Sequence, residues 1–401
     1  MTDGSATEAP PARLRRWHLV VLAAVGLLLL LGLAEGASRL YLRAAEGYDG
    51  AHLYQFRFDP YKNILPAPGY VDTRGIRHNR VGFRRSTEVS REKPAGTYRI
   101  FLMGASTAYG LGGLWPHLDP SWPVLPNDST IDAYLERELG ARFPGTKVEV
   151  INAAITSTWT HHHLIYLNQR IIGYQPDMVL FLDGYNDFYF FNRDHDQFDS
   201  YGYNLESQQI LGDPTLKSLG YGVGWWFYRR SAFVHLLGQG ARNVVLLIKG
   251  KPVQRPLDVD SAVAGFESVF PRSALKMHER AGLILRQEGI VPVFMMQPML
   301  LLERGKPKDA VEEKLFQFDV GSWRPGYEAY LQRVVPIARD SEAAMAARVG
   351  GMAIDLTGIY RDMPERTFTD YAHLTPLGNR VLARVVAERI APTIAARLAL
   401  P

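Results

Sequence analysis

From Tyr98 onward, short apolar runs alternate with longer amphipathic stretches. The runs are Tyr98–Met103, Val148–Ile151, Met178–Leu182, Val291–Met296 and Met352–Leu356. Each is too short for a helix and lacks a polar alternation, which is the pattern of a strand buried on both faces. Helical spacing occupies the intervals: a stretch opened by Ser129-Thr130-Ile131-Asp132 and reaching Phe143, then Trp159–Ile172, Leu275–Gln287, Tyr327–Val349 and Pro376–Leu398. The first of these starts resembles a capping box, with Asp in place of the usual Glu or Gln. Strands alternating with helices predict a three-layer α/β/α domain around a mostly parallel five-stranded sheet. Such sheets bind ligands in the crevice beyond the carboxyl ends of their strands. The rhythm breaks over residues 189–270, which are rich in aromatics, Gly and Asn and hold the Trp225-Trp226-Phe227-Tyr228 cluster. That stretch reads as an insertion packed around its own aromatics.

The N-terminal pattern differs. Residues 1–16 are polar and end in Arg13, Arg15 and Arg16, and residues 17–34 are apolar apart from His18. A membrane-spanning helix needs about 20 apolar residues, and the preceding arginines place residues 1–16 on the cytoplasmic side. The expectation is a signal-anchor helix over 17–34, an exported leader or stalk over 35–95, and a domain over 96–401 outside the cytoplasmic membrane. Ala34-Glu35-Gly36 offers a cleavable signal peptide as the competing reading, against which stands an apolar core longer than such peptides use.

The residues just after the strands carry the chemistry. The first run ends in Gly104-Ala105-Ser106-Thr107, the third in Gly184-Tyr185-Asn186-Asp187, and the last is followed by Asp370-Tyr371-Ala372-His373. A hydroxyl, an amide, and an imidazole with a carboxylate three residues earlier thus fall at one edge of the sheet. Nucleophilic catalysis by serine needs this set: hydroxyl, base, carboxylate and oxyanion donors.

These blocks, in this order over about residues 98–395, resemble the SGNH hydrolases, also called GDSL lipases and esterases. Gly104–Ser106 matches the family's nucleophile motif, with Ala105 in place of its usual Asp. Asn152-Ala153-Ala154-Ile155-Thr156-Ser157 matches its second block, with Ser157 where an oxyanion Gly normally stands. Gly184–Asp187 and Asp370–His373 match the third and fourth, and Gly82-Phe83-Arg84 resembles membrane-anchored bacterial members. The resemblance implies a flavodoxin-like sheet, with Ser106 as nucleophile, His373 as general base and Asp370 as its orienting carboxylate. It implies an oxyanion hole from Ser106, Asn186 and Ser157, and an esterase, lipase or deacetylase activity. Transfer of the acyl group to an envelope polysaccharide or lipid is the alternative, and a non-catalytic glycan-binding domain is the rival. Ser157 can replace Gly only if the backbone there tolerates a side chain. Gly184 and Gln297 are expected to line the substrate cleft.

Composition narrows the field. The net charge of +4 comes from interleaved acidic and basic residues, so no nucleic-acid footprint is read. The chain has no cysteine, which excludes disulfides, thiolate metal sites and a Cys nucleophile. No cofactor is implied, and the expected partners are an acylated substrate and the membrane. The His161-His162-His163 run suggests a metal-dependent hydrolase as a third class, but consecutive helical residues point in different directions. Solvent-facing or loop-packing histidines are the expectation.

Overall fold

The computed structural model describes residues 16–47, 55–59, 63–115, 117–122, 124–193, 220, 223–224, 226–228, 230–249, 256–303 and 305–399. The chain begins with a long helix, α1 (Arg16–Glu46), and a hairpin of β1 (Phe56–Asp59) and β2 (Asn63–Pro66). Then come β3 (Thr97–Gly104), a one-turn helix α2 (Ser106–Tyr109), α3 (Ile131–Arg142) and β4 (Lys147–Asn152). The next elements are α4 (Thr160–Tyr166), β5 (Met178–Asp183), α5 (Tyr185–Arg193), α6 (Ala232–Lys249) and α7 (Val259–Val269). The C-terminal half adds α8 (Ala274–Gln287), β6 (Val291–Met296), α9 (Ala310–Phe318), α10 (Tyr327–Arg348), β7 (Met352–Asp355) and α11 (Pro376–Leu398).

Strands β3 to β7 form one parallel sheet in the order β4-β3-β5-β6-β7. All eight residues of β3 and all six of β5 and β6 are buried, because helices cover both faces. Successive side chains of a strand point to opposite faces. Ile100 and Leu102 accordingly pack with Leu135 and Leu139 of α3 and with Leu382 and Val386 of α11. Phe101 and Met103, one residue out of phase, pack with Leu285 of α8 and with Met345 and Ala346 of α10. This is the expected three-layer α/β/α fold, with the five strands where the apolar runs lie.

Three local expectations change. Thr130 occupies the N-cap position of α3 but makes no side-chain cap; its hydroxyl donates to Asn127 O. Asp132, the supposed box partner, accepts from Asn152 Nδ2 at 2.7 Å instead, joining α3 to the end of β4. The helical stretch after Trp159 is regular only to Tyr166 and continues as irregular turns to Tyr174. Of the Trp225–Tyr228 cluster, Trp225 lies outside the described residues, and Trp226 and Phe227 are exposed rather than buried as a core.

α1 has 31 residues, about 46 Å at 1.5 Å per residue, against ~30 Å of bilayer hydrocarbon. It is the one helix among the described residues long and apolar enough to cross a membrane. The helix runs on past Ala34 because the next turns dock against α6. Glu35 accepts from Ser231 Oγ at 2.7 Å and from the amides of Ala232 and Phe233 at 3.0 and 3.1 Å. It thereby caps α6 with a carboxylate from another helix. Leu42 packs on Ala232 and Leu236.

The segment before β3 straps onto the sheet's carboxyl edge. Arg84 is buried, and its guanidinium donates to the carbonyls of Tyr109 (2.7 Å), Gly110 (2.8 Å) and Leu125. Three backbone oxygens around the turn after β3 are thus held by one side chain.

Candidate active site

The site is built on the turn from β3 to α2. Gly104 has φ +146°, and a Cβ there would lie 2.4 Å from Leu182 O and 2.7 Å from the Ala108 side chain. The glycine lets the chain turn sharply between two strands and present Ser106 as the first residue of α2. Its amide, at a helix start, has no intrahelical partner. Gly104→Ala is expected to cost about 1–3 kcal/mol or more through forced backbone displacement, read as a lower melting temperature together with lost activity.

Asp370 and His373 sit in the loop before α11. Asp370 is fully buried. It accepts from the amides of Leu114 (2.9 Å), Ala372 (3.0 Å) and His373 (2.9 Å), and His373 Nδ1 donates to its oxygens at 2.7 and 2.9 Å. Burial alone would raise the Asp370 carboxyl; the His373 imidazole and the amides outweigh it and hold the carboxyl below the ordinary aspartate range. An ionised Asp370 fixes the proton on Nδ1 and leaves Nε2 with its lone pair. His373 Nε2 is buried and makes no hydrogen bond among the described residues.

His373 lines a cavity of about 170 Å³ together with Ser106, Leu111, Leu114, Ser157, Tyr185, Asn186, Tyr189, Arg324 and Tyr371. The hydroxyl, the imidazole, the Asn186 amide and the Ser157 turn therefore meet in one crevice at the carboxyl edge of the sheet. Asn186 Nδ2 donates one proton to Thr158 O at 2.7 Å, and the amide's other proton is available to the cavity. Ser157 has φ +57°, the left-handed region in which glycine is normally found. The serine thus keeps the glycine conformation at a local cost of roughly 1–2 kcal/mol. The cavity is smaller than the roughly 300–1,000 Å³ usual for drug-sized ligands.

Gly184 and Gln297 are not on its wall. Gly184 has φ +134°, and a Cβ there would meet Met296 and Phe188, so its role is to let β5 turn into α5. Gln297 is buried behind α2, where its amide lies 3.5 Å from Thr107 Oγ1. Thr107 Oγ1 in turn donates to Ala372 O at 3.1 Å, tying the nucleophile turn to the histidine loop.

Beneath the Ser157 turn lies a buried charged chain. All three residues of the His161–His163 run are buried, so of the two expected readings the solvent-facing one fails. His163 Nδ1 lies 3.1–3.2 Å from the Asp183 oxygens, and His278 Nε2 lies 3.1 Å from Asp183. His278 Nδ1 lies 3.2 Å from Glu342. Asp183, at the end of β5, joins α4 to α8. Burial opposes its charge, but His163 and His278 hold it well below the usual range. Burial likewise opposes the His278 cation, yet Asp183 and Glu342 raise that imidazole to about 10. Asp187 is the opposite case: burial first, then the Asp183 charge, push it up to about 7. It accepts from Thr160 Oγ1 at 2.9 Å and Thr160 N at 3.3 Å at the start of α4.

A histidine raised in the folded state contributes stability that is complete below its unfolded value, about 6.5, and is lost as pH rises through about 10. The melting temperature is therefore expected to fall between these values, and to fall less steeply in His278→Gln. His278→Ala, which leaves Asp183 and Glu342 buried without their shared cation, is expected to cost about 3–5 kcal/mol, read by chemical denaturation.

The tyrosines and Arg324 were missed at the sequence level. Arg324 is buried, with its guanidinium 4.2–5.1 Å from the ring centroids of Tyr371, Tyr185, Tyr189 and Tyr327 and 3.5 Å from Asp319. Tyr185 and Tyr371 occupy the variable positions of the Gly184–Asp187 and Asp370–His373 blocks, so a signal was present there. Arg324 carries no motif.

No known protein-family profile matches the chain, and no curated protein matches it. Solved structures do align with it. One is an α/β hydrolase enzyme from the metagenome of Lake Arreo, Spain, at 14% identity and TM-score 0.35, covering 72% of this chain and 94% of that one. A catalytic mutant of an acetylxylan esterase from Geobacillus stearothermophilus aligns at 13% identity and TM-score 0.38, covering 73% and 94%. An acetyl xylan esterase, AlAXEase, aligns at 12% and 0.35, covering 73% and 99%. At these identities and TM-scores no residue role or substrate is transferred.

Proposed function

We propose that this chain is a serine ester hydrolase of the SGNH type. The observation that carries the reading is the His373 ring: Nδ1 is anchored on a buried, ionised Asp370, Nε2 has no hydrogen-bond partner among the described residues, and His373 lines the same cavity as Ser106. Nε2 takes the Ser106 proton as Oγ attacks an ester carbonyl. The resulting oxyanion is held by the Ser106 amide, the Asn186 side chain and the Ser157 amide, where each donor is typically worth about 10²–10³ in rate. Collapse expels the alcohol, which takes the proton back from His373, and leaves an acyl group on Ser106. Water, deprotonated by the same imidazole, releases the acid and restores the hydroxyl.

The small cavity favours a short acyl group such as acetyl. The tyrosine faces beside it suit a sugar or another flat-faced alcohol. With α1 as anchor and Arg13, Arg15 and Arg16 ahead of it, the domain works outside the cytoplasmic membrane on acylated envelope polysaccharide or lipid. Aryl esters of increasing acyl length test the reading: acetate is expected to be turned over, with kcat/KM falling at least about tenfold by octanoate. Absence of turnover on all short esters would contradict it. Ser157→Gly is expected to keep kcat within a few-fold of wild type, because the donor at that position is the backbone amide in a conformation glycine adopts freely.

A further inference from the structure

The cavity's oxyanion side is held from below by the buried ion-pair chain. Thr158 comes directly after the left-handed Ser157, and its hydroxyl donates to Ile155 O at 2.6 Å. The same hydroxyl lies 3.0 Å from His163 Nε2. A hydroxyl has one proton, already given to Ile155, so Nε2–H must be the donor in the second bond. Nδ1 of the same ring faces the carboxylate of Asp183, which accepts only, so Nδ1 also bears a proton. Both ring nitrogens of His163 thus act as donors in this arrangement. His278 extends the chain, with Nε2 3.1 Å from Asp183 and Nδ1 3.2 Å from Glu342. The chain ends where it matters for the site: the carbonyl of Thr158 accepts from Asn186 Nδ2 at 2.7 Å.

We propose that Thr158 and His163 are positioning residues of the oxyanion hole. The Asp183–His163–Thr158 chain keeps the Ser157 turn left-handed, and the Thr158 carbonyl aims the Asn186 amide into the cavity. Neither residue is among those lining the cavity with Ser106 and His373, so both act through Ser157 and Asn186. The two bonds to Thr158 Oγ1 fix its side chain, and its backbone carries the strained turn on one side and the Asn186 bond on the other. This inference rests on the hydrolase reading, in which Asn186 and Ser157 are oxyanion donors.

Thr158→Val keeps the shape and the backbone carbonyl but removes the hydroxyl. With an aryl acetate as substrate, it is expected to lower kcat about tenfold, part of the roughly 10²–10³ that a whole donor supplies. KM is expected to change less than about twofold, because the donors act on the transition state. Thr158→Ser is expected to restore most of the rate. The decisive readout is the same substitution placed on Asn186→Ala, where the loss from Thr158→Val should shrink to about threefold, the part that the Ser157 turn carries, since coupled residues are non-additive. A purely structural role predicts the full loss in both backgrounds, and that result overturns the proposal, as does wild-type kcat in Thr158→Val. Should Thr158→Val fail to fold, His163→Gln read in the same two backgrounds is held to the same outcomes. Ser106→Ala separates the two levels: if it keeps wild-type turnover, the hydrolase reading fails and the proposal with it. If it is inactive while the Thr158 loss is additive, only the proposal fails.

Discussion

Ser106→Ala is expected to lower kcat on short aryl esters by about 10⁴-fold or more, the scale on which a nucleophile's loss is felt. The melting temperature should stay close to wild type. Ser106 is half-buried at the cavity wall, while the turn that presents it is fixed by other residues: Gly104, the Ile155 amide on Gly104 O at 3.0 Å, and Arg84. Removing one oxygen from that turn empties no core and breaks no buried network. Steady-state kinetics alongside thermal denaturation check both halves. Loss of activity with an intact fold is the signature of chemistry, and wild-type turnover contradicts the assignment.

The second large effect separates His373 from Asp370. His373→Ala removes the base from both half-reactions and should match Ser106→Ala in kcat. Asp370→Ala should retain about 10- to 100-fold more activity than either, because the carboxylate orients and stabilises the imidazole without exchanging protons with substrate. The order reverses for stability. Asp370 is fully buried and accepts three backbone amides besides the histidine, so its removal leaves donors unsatisfied at about 1–3 kcal/mol. Because the folded Asp370 carboxyl is depressed, its contribution is present above the ordinary aspartate value of about 3.9 and is lost as pH falls below it. The melting temperature of wild type should therefore drop more steeply in acid than that of Asp370→Ala. Kinetics and thermal scans of the three variants settle the order. His373→Ala near wild-type turnover would contradict the assignment of the base.

The sheet was legible because parallel strands covered on both faces are mostly apolar, so each run of four to six residues marked a strand. Candidate site residues could be picked out because Ser106 and Asn186 each come just after such a run, and because Asp370 and His373 are close enough in sequence to meet in one loop. What sequence left open was contact across the fold. The capping box at Ser129–Asp132 failed because Asp132 found a better partner in Asn152 on a neighbouring strand, a bond no local spacing encodes. Gln297 was placed in the cleft on the strength of its strand end, yet its side chain turns inward to Thr107. The histidine run was read as solvent-facing or loop-packing because its partners, Asp183 and, through it, His278, are 20 and 95 residues away from His163 and Asp183 respectively. Ser157 shows the reverse: it stands where the resemblance implies glycine, and its backbone is left-handed all the same.

The central claim is that Ser106 becomes covalently acylated. Treating the protein with a fluorophosphonate, digesting it and weighing the peptides tests this most directly. The expected result is one added phosphonyl group, on the peptide carrying Ser106, with labelling abolished in Ser106→Ala and strongly slowed in His373→Ala. Labelling that persists unchanged in Ser106→Ala, or its absence from the intact protein that turns over esters, would contradict the account.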